Sequence, residues 1–142
     1  MLKLSKSLQS LPPLTEVIKR FSLTPDKKLG QNFLLDSDIT DRIVLSVGNL
    51  KDKTVLEIGG GPGGLTRSIL ASEAKKLHVV EMDERAISAL KEIEENAEGR
   101  LEVIHGDALK VDESQFGEQL YVIANLPYNV GTKLVLKWLE KP

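Results

Sequence analysis

The chain has no cysteine among its 142 residues, which excludes disulfides, thiolate metal centres and a cysteine nucleophile. Its two histidines, His78 and His105, each fall inside a short β-rich run with no second ligand at metal-like spacing. Both read as structural, and no metal is expected. No apolar run approaches the ~18 residues that a membrane span needs. Lys3 and Lys6 precede Leu8–Leu14, but Ser10, Pro12 and Pro13 break that stretch and leave no signal-peptide core. Acidic residues are missing before Glu16, as in a transit peptide, yet so is arginine before Arg20. The opening therefore reads as the leader of a cytoplasmic protein.

A hydrophobic content of 41% and a charged content of 28% allow one soluble domain with a core of moderate size. The net charge of −2 is unlike that of a nucleic-acid binder, but it is unevenly spread. Residues 1–55 carry nine Lys/Arg against six Asp/Glu, and residues 56–142 carry ten against fifteen. A basic leading segment on an acidic body can steer an anionic polymer to one face, although the same counts also fit scattered solvated charge.

Along the chain, Thr15 is placed to cap a short helix with Leu14, Val17, Ile18 and Phe21 on one face. Thr24-Pro25-Asp26 turns into a loop, Lys27 to Leu34, with a basic start. Asp36 or Ser37 caps a further helix that turns Ile39, Ile43, Val44 and Val47 inward and stops near Gly48. Strand, loop and helix then alternate. The strands are expected at Thr54–Ile58, Leu77–Glu81, Leu101–His105 and Leu120–Ala124, and the helices at Leu65–Ala71, Asp83–Glu95 and Thr132–Glu140. Such alternation predicts an α/β fold, a parallel sheet with helices on both faces. In a doubly wound sheet the four strands take the order 3-2-1-4. The wholly apolar fourth strand is then an edge that invites another chain.

Glu57-Ile58-Gly59-Gly60-Gly61-Pro62-Gly63 follows the first strand and opens a helix. Glycines there remove the Cβ atoms that would keep a ligand from the backbone. The spacing also satisfies a dinucleotide fingerprint at Gly59, Gly61 and Gly64, with Glu81 about 20 residues beyond. The carboxylate of Glu57 would repel a pyrophosphate but suits a ligand carrying an ammonium and a sulfonium. Glu81, ending the second strand, is placed to accept from ribose hydroxyls. Asp107, past the third strand, can accept from an adenine amine, and the Ala108 amide can reach the adjacent ring nitrogen. Those contacts point to S-adenosylmethionine, with a nicotinamide dinucleotide as the alternative.

Asn125-Leu126-Pro127-Tyr128 follows the fourth strand. An adenine amine is a poor nucleophile because its lone pair is delocalised into the ring. The Asn125 side-chain oxygen and the Leu126 carbonyl can hold its two N–H bonds so that the pair localises. Pro127 fixes φ and stiffens the turn, and Tyr128 offers a flat face for an extruded base. This is catalysis by positioning, with no strong general base required.

With these motifs, the chain resembles the ribosomal RNA small-subunit adenine dimethyltransferases. Lys28-Leu29-Gly30-Gln31-Asn32-Phe33-Leu34 matches that family's signature loop. The resemblance implies a Rossmann-like S-adenosylmethionine-dependent methyltransferase fold and transfer of methyl groups to N6 of two adjacent adenosines in a 3′-end hairpin. It implies a partner, small-subunit ribosomal RNA or the assembling small subunit, and a monomeric full-length enzyme. Asn32, Leu34, Gly59, Glu81, Asp107 and Asn125 would line the cofactor site beside Glu57, Gly61 and Ala108, with Met82 on the cofactor adenine. Asn125, Leu126, Pro127 and Tyr128 would carry catalysis, and Lys27 and Lys28 would meet RNA phosphate.

Two departures stand out. Gly60 occupies a position where many members have proline, which is expected to loosen the loop. The family also continues with more strands and a small helical domain, so residues 1–36 read as a leader and 37–142 as the N-terminal half of the methyltransferase domain. A non-catalytic ribosome-assembly or nucleic-acid-binding factor on the same fold is the competing expectation.

Overall fold

A computed structural model describes residues 2–23, 36–117 and 120–124. Its elements are α1 (Lys6–Gln9), α2 (Leu14–Arg20), α3 (Ser37–Val47), β1 (Thr54–Ile58), α4 (Gly64–Ala71), β2 (Lys76–Glu81), α5 (Glu84–Glu95), β3 (Leu101–His105) and β4 (Leu120–Ala124). The four strands form one parallel sheet in the order β3-β2-β1-β4, as the topology of the class requires. In register, Glu57 lies between Val79 of β2 and Ile123 of β4.

Strand alternation sorts the core. Val55, Leu77, Val79, Leu101, Val103 and Ile123 face one side and pack with Leu65 and Ile69 of α4, Leu90 and Ile93 of α5, Val44 of α3 and Leu8 of α1. The other side carries Leu56, Ile58 and Val80. Among the described residues it is covered by two 3-10 turns, Ala108–Lys110 and Glu113–Phe116, rather than by helices on both faces as expected. The physical reason lies in the β3–β4 connection. Asp107 and Asp112 each cap a turn through a side-chain oxygen, and Gly117, at φ 104, ends the second before a helix can propagate. The helix expected over residues 132–140 lies outside the described residues.

Other differences are local. α2 begins one residue before Thr15, at Leu14, because Pro13, at φ −58 and ψ 151, presents the chain for helix entry without a side-chain cap. Ser5 caps α1, a helix not read from sequence, and Leu8 of that turn is buried in the core. In α3, Ile39 is 47% exposed while Thr40 is 1% exposed. The buried stripe is turned by one residue because α3 meets α4 through hydroxyls. Thr40 Oγ1 lies 2.7 Å from Ser68 Oγ, which donates to Asp41 Oδ1 at 2.6 Å. α2 packs on the outer side of α5, with Val17, Leu23, Ala86 and Ala89 buried together.

Candidate active site

The C-terminal ends of β1, β2 and β3 converge on the glycine loop. The ladder continues past β1, where Gly59 N donates to Val80 O at 2.8 Å. The loop then lies directly on the core. A Cβ on Gly60 would sit 2.7 Å from Val79 Cγ1 and 2.9 Å from Leu90 Cδ1. Gly60 is therefore a close-approach position, and the loosened loop expected from its lack of a side chain is instead packed against β2 and α5. Gly63 caps α4 at φ 98, and a Cβ there would lie 2.3 Å from Ile93 Cδ1.

Glu81 organises the site. Its Oε1 accepts from Gly61 N at 2.8 Å, and its Oε2 accepts from Met82 N at 2.8 Å and Asp83 N at 3.0 Å. One carboxylate thus ties the glycine loop to the end of β2. Three charge-assisted bonds hold it in one orientation, and Oε1 retains acceptor capacity for a ligand hydroxyl. Met82, next in sequence, is 63% exposed at the mouth of the loop, where its side chain is open to a partner. Gly106 N donates to Glu81 O at 3.0 Å and brings the β3 end alongside. Asp107 is half-buried, and its Oδ1 accepts from Leu109 N at 2.9 Å. Among the described residues its second oxygen accepts no hydrogen bond. Ala108 is buried beside it.

His105, read from sequence as structural only, belongs to this site. It is exposed, and its Nε2 lies 3.0 Å from Met82 O, so the ring N–H donates to the carbonyl. Met82 is therefore held at both backbone ends, by Glu81 and by His105. The pairing was hidden in the sequence because it depends on the β2–β3 register, which sets Glu81 beside His105.

Glu57 differs from expectation. Strand alternation turns its side chain toward α4, where it is 1% exposed and accepts from Thr66 Oγ1 at 2.6 Å. Burial pushes its carboxyl up to about 8; the nearby Glu81 charge adds to the rise, and the Thr66 hydrogen bond opposes it. A carboxyl that is neutral at pH 7 does not repel a pyrophosphate, so the charge argument against a dinucleotide does not hold.

Asn32, Leu34, Asn125, Leu126, Pro127, Tyr128, Lys27 and Lys28 lie outside the described residues. β4 ends at Ala124, paired with Ile58 at the lip of the glycine loop. No group of His, Cys, Asp or Glu suited to a metal ion occurs among the described residues. None of the described helices is long and apolar enough to cross a membrane.

Likeness to known proteins gives the family. The sequence pattern of the family described as ribosomal RNA adenine dimethylase matches residues 23–142. This chain belongs to the ribosomal RNA adenine dimethylase family. Among its curated relatives, the ribosomal RNA small subunit methyltransferase A of Sinorhizobium fredii is 53% identical over 94% of this chain and 45% of its own length. The protein of the same name from Afipia carboxidovorans is 53% identical over 94% of this chain and 48% of its own length. The crystal structure of a dimethyladenosine transferase from Plasmodium falciparum superposes with a TM-score of 0.64 at 35% identity, covering 78% of this chain and 40% of that one. The chain thus spans about half the length of the curated relatives it matches. Its fold is the Rossmann-like fold of the S-adenosylmethionine-dependent methyltransferases, the fold class read from the sequence.

Proposed function

We propose that this chain is the cofactor-binding part of an enzyme that transfers methyl groups from S-adenosylmethionine to N6 of two adjacent adenosines in a 3′-end hairpin of small-subunit ribosomal RNA, during ribosome biogenesis in the cytoplasm. The observation that carries the reading is the Glu81 clamp, which fixes a bare glycine backbone beside an exposed Met82 in a chain of this family. The arrangement fits an adenosine-bearing ligand. Glu81 Oε1 accepts from a ribose hydroxyl, Met82 covers the adenine face, and Asp107 with the Ala108 amide meets its edge. Gly59 and Gly61 admit the ligand to the backbone. Glu57 acts beneath the loop, holding Thr66 of α4, rather than at the ligand's hydroxyls or ring.

Asn32, Leu34 and Asn125 complete the cofactor's surroundings in this reading. S-adenosylmethionine supplies an electrophilic methyl group when bound. Asn125 and the Leu126 carbonyl accept from the target amine, Pro127 stiffens their turn, and Tyr128 stacks on the base. The test is methyl transfer to unmethylated small ribosomal subunits by a protein that carries this chain within the full family length. N6,N6-dimethyladenosine at two adjacent positions is expected in the RNA. Cofactor binding without any methyl transfer would favour a non-catalytic assembly factor on the same fold.

Glu81→Ala should weaken S-adenosylmethionine binding by about 1.5–3 kcal/mol, since a charged acceptor of a ribose hydroxyl is lost and three backbone N–H groups lose their partner. Calorimetry checks this, and unchanged affinity would remove Glu81 from the site. Replacing Lys27 and Lys28 with alanine should weaken RNA binding and lower its salt slope by about two charges, with cofactor affinity unchanged. A salt slope that does not move would make them ordinary surface lysines.

A further inference from the structure

We propose that Glu57 makes cofactor binding proton-linked, so that the site distinguishes the cationic sulfonium cofactor from its uncharged thioether product by charge. The inference rests on the S-adenosylmethionine reading above and begins from the geometry beneath the glycine loop. Glu57 is the penultimate residue of β1, two residues before the first loop glycine, with Val79 and Ile123 on the flanking strands. At 1% exposure it is shut off from water. Its described polar contact is one neutral hydroxyl, Thr66 Oγ1. A carboxylate in such a place, without a cation, is costly, and the group keeps its proton instead.

The charges facing it do not relieve that cost. From the end of β2 comes Glu81, a second carboxylate, which raises the proton affinity of Glu57 further. From α4 comes Thr66, and the adjacent Arg67 is coupled to Glu92 of α5. α5 turns the apolar Leu90 and Ile93 toward the loop, and β4 contributes Ile123. Glu57 is thus a buried acid two residues before the loop proposed to hold a cation, bonded to the first turn of the helix that the loop opens.

A sulfonium on that loop supplies the missing positive charge, and the low-dielectric surroundings make its effect on a nearby carboxyl strong. Glu57 then gives up its proton as the cofactor binds. After methyl transfer the sulfur is neutral, the carboxylate again lacks a partner, and a proton returns as the product leaves. The sign follows from linkage. A ligand whose binding releases a proton binds more tightly as pH rises toward the free-state value of about 8, and pH-independently above it.

Calorimetry at pH 7 in two buffers of different ionisation enthalpy counts the protons. S-adenosylmethionine should release about 0.5–1 proton per site through Glu57, and S-adenosylhomocysteine under about 0.2. Subtracting the same titration of Glu57→Gln removes the ligand's own amine from the count, and the difference between the two ligands should vanish in that variant. Thr66→Val, which deletes the hydrogen bond that favours the carboxylate, should move the pH window upward, and this second variant serves if Glu57→Gln does not fold. Equal proton counts for the two ligands in the wild type, or a difference between the ligands that persists in Glu57→Gln, would overturn the inference while leaving the cofactor assignment intact. Failure of both ligands to bind the wild type would overturn the cofactor assignment and this inference with it.

Discussion

Gly63→Ala should destabilise the protein by about 2–5 kcal/mol, combining a steric clash in the core with a backbone conformation that side chains disfavour. Gly63 sits at φ 98 as the N-cap of α4, a region that L residues with a Cβ rarely occupy. The added carbon would stand 2.3 Å from Ile93 Cδ1, and Ile93 is 1% exposed on the core side of α5. Leu90 Cδ2 lies 3.5 Å from the same position, so the end of the isoleucine must rotate within the buried cluster to make room. Urea denaturation of wild type and variant measures the difference. Adding Ile93→Val, which deletes the clashing methyl, should restore part of the loss. Gly60→Ala should cost less, because it meets Val79 and Leu90 without the positive φ. Equal stability of Gly63→Ala and wild type would show that α4 does not lie this close to α5.

Asn125→Ala, in a protein of full family length, should reduce methyl transfer by at least ~10²-fold while leaving cofactor affinity within a few-fold. The asymmetry is the point of the prediction. An acceptor that helps localise the lone pair of an adenine amine acts as the amine becomes nucleophilic, whereas in the proposed reading the cofactor is held chiefly by Glu81, Met82 and Asp107. Single-turnover transfer and calorimetry on the same preparation separate the two quantities. Equal losses in both would make Asn125 a cofactor-binding residue only.

Much of this arrangement was legible in the sequence, for physical reasons that differ by element. β1, β3 and β4 were bounded to the residue because each is a short β-rich run between turn formers. The order 3-2-1-4 followed from the topology of the fold class. Glu81 was placed at the site because strand ends are fixed by topology. Its binding of three backbone N–H groups was not visible, since that depends on where the glycine loop passes. The burial and the Thr66 partner of Glu57 were not legible, for a different reason. A motif gives the position of a carboxylate but not its face, and alternation along β1 turned this one under α4. Ile39 was assigned inward by hydrophobicity alone, while hydroxyl contacts between Thr40 and Ser68 set the rotation of α3.

Calorimetric titration of this protein with S-adenosylhomocysteine and, separately, with NAD tests the central claim most directly. The glycine spacing and the acid that ends β2 admit either ligand, and membership of this family is what favours S-adenosylmethionine in the proposed reading. Micromolar binding of S-adenosylhomocysteine, lost in Glu81→Ala, with no heat from NAD is the predicted result. Binding of NAD with none of S-adenosylhomocysteine would contradict the account.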